Sequence, residues 1–196
     1  MATIALLRHG QKVGENISTK GIESFLNDDK EPIKVIPFGV DKITDIWMGS
    51  DYGRTTQSML AFLVANACAC PENLHPVVSA MGSQEMVEMI GKDEFERLVP
   101  KHGNIKAFEL ALEETQLFKF VDNMTQALHG MFDQMVGSTG LMFGHMPLID
   151  VLAHNFGAEI DKNGSDYLGG YVFTLENKQI IKAVPIMPED LIVKKS

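Results

Sequence analysis

Ala2 to Leu7 form an apolar run around "TIALL", which suits a strand buried on both faces of a parallel sheet. It stops abruptly at Arg8-His9-Gly10. "STKGIESFL" (18–26) reads as a helix start with Ser18 or Thr19 available to cap it. The charged and proline-bearing "NDDKEPIKVIPFG" reads as loop, and "ITDIWMGSD" predicts a second strand over Ile43–Met48. "GRTTQSMLAFLVANACA" has helical spacing, with Met59, Phe62 and Leu63 on one face. "LHPVVSA" predicts a third strand. From Ser83 to about Met135 the pattern turns helical in three stretches, "SQEMVEMIGKDEFERLV", "IKAFELALEET" and "FVDNMTQALHGMFDQMV". "TGLMFGH" supplies another strand that runs into Gly144-His145, and "MPLIDVLAHNFG" a short helix closed by glycine. "GGYVFTLENKQIIKAV" reads as two strands joined at Glu176-Asn177-Lys178.

This alternation predicts a three-layer α/β/α, doubly wound and mostly parallel sheet. A helical insertion at about 83–135, a lid over one end of the sheet, belongs to the same single domain, 1–196. Its methionines, Met81, Met86, Met89, Met124, Met131 and Met135, recur at helical spacing and are expected in the core.

Composition changes that picture little and narrows the function. Hydrophobic residues make up 45% of the 196 and charged residues 22%, as in ordinary globular chains. A net charge of −9 excludes a general nucleic-acid binder and requires that an anionic ligand be drawn in by a local cationic cluster. No apolar stretch approaches the length of a membrane span, and no basic leader precedes the first strand, so neither membrane insertion nor a signal peptide is expected. Cys68 and Cys70 are too close for an unstrained disulfide and too few for a zinc site. They are expected to be reduced thiols at a helix end in a cytoplasmic protein. His75, His102, His129 and His154 have no metal-ligand spacing with acids or cysteines. No metal or cofactor is expected, and nothing specifies an oligomeric state.

The candidate chemistry lies at strand ends. The first strand ends at Arg8-His9-Gly10, the second leads into "SDYGR" with Arg54, and the later one ends at Gly144-His145. In open α/β sheets ligands bind beyond the carboxyl ends of the strands, where these residues would converge. An arginine offers phosphate two parallel hydrogen bonds, and a cation in the first turn of a helix is better explained by a bound anion than by the helix dipole. Neighbouring arginines disfavour an imidazolium, so His9 can stay a neutral nucleophile.

"LLRHGQ", "STKGIE", "GSDYGRTTQSM" and "GLMFGHMPLIDVLA", in that order, resemble the histidine phosphatase superfamily, which has the phosphoglycerate mutase-like fold. "HMPLI" is also similar to a segment of the small bacterial phosphohistidine phosphatases. The resemblance touches both ends of the chain and leaves about 80–140 uncovered. It implies that His9 becomes phosphorylated and that Arg8, Arg54 and His145 bind the phosphoryl oxygens. It further implies a metal-independent phosphatase acting on a phosphorylated small molecule or phosphoprotein.

Gly10, Gln11, Thr19 and Met146 are the expected substrate contacts, with Lys12 also just beyond His9. For Thr19 a helix-capping role stands beside the phosphate contact. The family's proton donor has no plain counterpart: Met146 occupies one family position for it, and the position near Ser79 is not acidic. Glu85 is the first candidate acid and Glu88 the second; a solvent-facing helix charge is the alternative for both. A mutase-like phosphotransferase and a non-catalytic phosphate-binding regulator remain the alternative functions.

Overall fold

The computed structural model describes residues 1–25, 43–50, 53–65 and 73–188, except for the side chains of 65, 83–85, 87 and 92. In chain order the elements begin with β1 (Ala2–Arg8), a small hairpin of β2 (Lys12–Val13) and β3 (Asn16–Ile17), α1 (Thr19–Glu23) and β4 (Asp45–Trp47). Then come α2 (Gly53–Ala65), β5 (Asn73–His75), a 3-10 turn (Ser79–Met81), α3 (Ser83–Ile90), α4 (Lys92–Ala111) and α5 (Glu114–Gln134). The chain finishes with β6 (Thr139–Gly144), α6 (Leu148–Asn155), β7 (Gly170–Glu176) and β8 (Gln179–Ile186).

The main sheet has the order β5-β4-β6-β1-β7-β8. β5, β4, β6 and β1 are mutually parallel, and β7 runs antiparallel to both β1 and β8. β6 lies between β4 and β1 although it follows both in sequence, so the carboxyl ends of all three are neighbours. The register puts Arg8 opposite Gly144. Side chains alternate along β1. Ile4 and Leu6 join a core with Trp47, Met142 and Phe173, packed beneath α4, α5 and α6. Ala5 and Leu7 join the opposite core with Ile46, Leu141 and Phe143, beneath α2. The expected mostly parallel α/β/α arrangement is therefore present.

Helix α5 alone brings Phe120, Met124, Leu128, Met131 and Phe132 into the first core. At roughly 1.5–3 kcal/mol for each large apolar side chain fully buried, that helix is a structural layer of the sheet. Met81, Met86, Met124 and Met131 are buried, and Met89 and Met135 pack against them, as their spacing predicts.

Several expected boundaries move, each for a physical reason. The second strand is Asp45–Trp47 and not Ile43–Met48. Of "LHPVVSA" only Leu74 and His75 are strand, because Pro76 offers no amide to a ladder. Val78 instead donates its amide to the Gly49 carbonyl, and a 3-10 turn follows. "SQEMVEMIGKDEFERLV" is split at Gly91 (φ 76°), and α4 is kinked at Gly103 (φ 77°), just before the second helical stretch. α5 begins earlier than expected, at Glu114, because Glu113 and Gln116 form a reciprocal capping box. The predicted β7–β8 turn holds, with Asn177 and Lys178 both at positive φ. The loop "NDDKEPIKVIPFG", Leu26, Cys68 and Cys70 lie outside the described residues.

Candidate active site

β1 delivers His9 by continuing one residue past its last ladder position, where the His9 amide donates to the Gly144 carbonyl (3.1 Å). β6 delivers His145 in the same way, directly after Gly144. α2 starts at Gly53 and presents Arg54 from its first turn. His9, His145 and Arg54 are 4%, 2% and 8% exposed as residues, and their side chains meet.

Arg54 Nε donates to His9 Nε2 at 3.1 Å, and Arg54 Nη2 lies 3.3 Å from His145 Nδ1. His9 Nδ1 lies 2.7 Å from the Gly10 carbonyl oxygen. These contacts determine the tautomers. A guanidinium only donates and a carbonyl only accepts. His9 therefore carries its proton on Nδ1 and a lone pair on Nε2, while His145 accepts through Nδ1 and carries its proton on Nε2. The two rings meet edge-on with centroids 5.2 Å apart. Burial lowers the His9 pKa to about 3, helped by His145, Arg54 and Arg8 and opposed by the Gly10 carbonyl. His9 is thus a neutral imidazole whose Nε2 lone pair faces the Arg54 guanidinium, and burial more than the neighbouring arginines keeps it so.

Arg8, half-buried at the end of β1, donates from Nη1 to the Ser165 carbonyl (2.7 Å) and lies 4.1 Å over the Tyr167 ring. Burial lowers its pKa, and the surrounding Tyr167, Asp150 and Asp166 oppose that shift. Tyr167 also lies beside His9, with ring centroids 5.9 Å apart.

The Gly10 amide is fixed by Ser58 Oγ (3.0 Å), which in turn donates to the Arg54 carbonyl. Ser18 Oγ donates to the Gln11 carbonyl and accepts from the Gly21 amide, so the cap of α1 is Ser18 and not Thr19. Gly21 allows the crossing: a Cβ there would collide with the Gln11 carbonyl oxygen. Thr19 is exposed, Gln11 half-buried, and Met146 half-buried next to His145.

Glu88 is an exposed residue of α3, and the Glu85 side chain lies outside the described residues. Among the described residues a carboxylate that does lie near Arg54 is Glu15, 71% exposed at the β2–β3 turn and 3.8 Å from Arg54 Nη1. An open apolar groove of about 520 Å³ between β3, α1 and α2 contains none of Arg8, His9, Arg54 or His145. Among the described residues no group of His, Cys, Asp and Glu is arranged to hold a metal, and no helix is long and apolar enough to cross a membrane. His75 is on the edge strand, where it bonds Asp45 (2.8 Å) and stacks on Trp47.

No known family profile and no curated protein sequence matches the chain. Solved structures do. Phosphoglycerate mutase from Bacillus anthracis superposes with a TM-score of 0.59 over 97% of this chain and 95% of its own, at 14% identity. The chain has the phosphoglycerate mutase-like fold. Two further structures share it. The protein histidine phosphatase SixA, complexed with tungstate, has a TM-score of 0.54, covers 96% of this chain and 99% of its own, and is 15% identical. A mycobacterial glucosyl-3-phosphoglycerate phosphatase has a TM-score of 0.55, covers 95% of this chain and 98% of its own, and is 10% identical. The resemblance carried by short motifs at both ends thus meets a structural match along nearly the whole chain.

Within this phosphoglycerate mutase-like fold, four residues around the site escape sequence reasoning: Glu15, Asp150, Ser165 and Tyr167. Asp150 left a signal, because it is the lone acid in the apolar stretch "PLIDVLA". The other three sit in turns and loop with no periodicity to mark them.

Proposed function

We propose that the chain is a phosphatase of the histidine phosphatase type, acting through a phosphohistidine intermediate on His9. The observation that carries this is the His9 Nε2 lone pair, buried and 3.1 Å from Arg54 Nε at the strand ends. A substrate phosphoryl group entering there takes over the Arg54 donor. His9 Nε2 then attacks phosphorus, the P–O bond to the leaving group breaks, and the leaving oxygen takes a proton from solvent, which the water of the next step returns. Water next attacks phosphorus, the N–P bond breaks, and inorganic phosphate departs from neutral His9.

The two arginines and the His145 Nε2–H supply the charge that phosphoryl transfer demands of its surroundings. Arg8 Nε, which makes no hydrogen bond to a described residue, adds a buried donor. This chemistry calls on no metal. Gly10, Gln11, Thr19 and Met146 are the substrate contacts that this reading assigns. We take 1–196 as one domain, since both cores draw on residues from near each end of the described chain.

The substrate is a phosphorylated small molecule or a phosphoprotein, and one with a good leaving group suits the site best. Proton donation is worth about 10²–10⁴-fold, which aryl phosphates and phosphohistidine need least. The test is hydrolysis of an aryl phosphate in the presence of a chelator, with phosphate release compared in water and in water containing glycerate or sugar acceptors. Chelator-resistant release that acceptors leave unchanged supports a phosphatase. Transfer to an acceptor supports a mutase, and phosphate binding with no turnover supports a non-catalytic binder.

A further inference from the structure

Asp150 stands in the first turn of α6 and is fully buried, where an ionised carboxylate ordinarily costs several kcal/mol. Its surroundings are built to receive it. Ser165 donates to Asp150 Oδ1 twice, from its amide and from Oγ, each at 2.7 Å, and the Tyr171 hydroxyl donates to the same oxygen at 3.2 Å. Gly164 (φ 77°) permits the approach, because a Cβ there would press on the Met146 side chain and come within 3.3 Å of Asp150 Oδ2. The loop between α6 and β7 is therefore fastened to the helix at this point.

The same serine also bonds to Arg8. Ser165 binds Asp150 through its N–H and hydroxyl, and its carbonyl accepts from Arg8 Nη1 at 2.7 Å. The two bonds belong to adjacent peptide groups joined at the Ser165 Cα, so fixing the amide and the hydroxyl also fixes where the carbonyl points. Two residues further along the loop, Tyr167 covers the Arg8 guanidinium. Burial raises the Asp150 pKa, and the hydrogen bonds from Ser165 and Tyr171 and the charge on Arg8 oppose that rise. Asp150, the fastened loop and Arg8 thus form one connected unit that ends in the phosphate pocket.

We infer that Asp150 is a positioning residue for Arg8: through Ser165 it holds the guanidinium where a phosphoryl oxygen must meet it. This rests on the phosphate-binding reading above and adds to it a residue outside the pocket. A purely structural Asp150 would stabilise the fold without acting through Arg8, and a double-mutant cycle in ligand affinity separates the two.

The experiment measures the dissociation constant for inorganic phosphate in the wild type, Asp150→Ala, Arg8→Ala and the double variant. Each protein's thermal midpoint is recorded beside it. Asp150→Ala should weaken phosphate binding roughly tenfold in the wild-type background and less than about twofold in the Arg8→Ala background. Asp150→Asn keeps an oxygen for Ser165 and should recover part of the loss. It also serves as the cycle's member if the alanine variant does not fold. Equal losses in both backgrounds, or no loss in either, would overturn the inference alone. Failure of the wild type to bind phosphate would overturn the functional reading and this inference with it.

Discussion

Acidification distinguishes a buried neutral His9 from an ordinary histidine, and the size of the effect follows from the site. In the unfolded chain the imidazole takes a proton near pH 6.5. In the folded chain burial, His145 and the two arginines hold its pKa down to about 3. Between those values the unfolded state binds a proton that the native state refuses. The His9 contribution to stability is therefore intact above about 6.5 and lost progressively as the pH falls toward about 3. Going from about pH 8 to about pH 5, linkage puts that loss at about 2 kcal/mol. His9→Gln has no such proton to bind, so the stability difference between wild type and variant should change by that amount, with the wild type losing more. Urea unfolding of both proteins across this pH range measures it, and the other histidines cancel in the comparison. Titration of the His9 ring followed by NMR gives the same quantity directly. Parallel stability curves for the two proteins, or a ring midpoint near 6.5, would refute the reasoning.

Two other consequences are open to routine measurement. Arg54→Ala should lower kcat for an aryl phosphate by about 10²–10³-fold, the usual cost of losing one positioned donor, and should raise the His9 pKa by removing a neighbouring cation. Steady-state kinetics and the same ring titration check both. Gly21→Ala should destabilise the protein by about 1–3 kcal/mol in urea unfolding, because its Cβ must displace the Gln11 carbonyl.

The sequence carried the sheet and the centre of the site, for identifiable reasons. β1 and β6 are buried on both faces and so read as unbroken apolar runs. Arg8, His9 and His145 were legible because each sits at the end or just beyond the end of such a run, and Arg54 because it starts a helix. What failed depended on partners far along the chain. Gly103 breaks α4 where the backbone passes close to the Lys162 carbonyl, and no local pattern announces that approach. "LHPVVSA" has strand composition, but the bond from Val78 to Gly49 turns it away from the sheet. The partners of Asp150 lie 15 and 21 residues downstream, so a lone acid in an apolar helix gives no clue to what it holds. Glu15 reaches Arg54 from the turn of the β2–β3 hairpin, a contact between residues far apart in sequence.

The central claim is that His9 Nε2 accepts a phosphoryl group. Mixing the protein with a labelled aryl phosphate and quenching in alkali within one turnover tests it most directly. An acid-labile, alkali-stable label should appear, one phosphoryl group per chain, mapped to His9 and missing from His9→Ala. A label that survives in His9→Ala, or turnover of the wild type with no label trapped on His9, would contradict it.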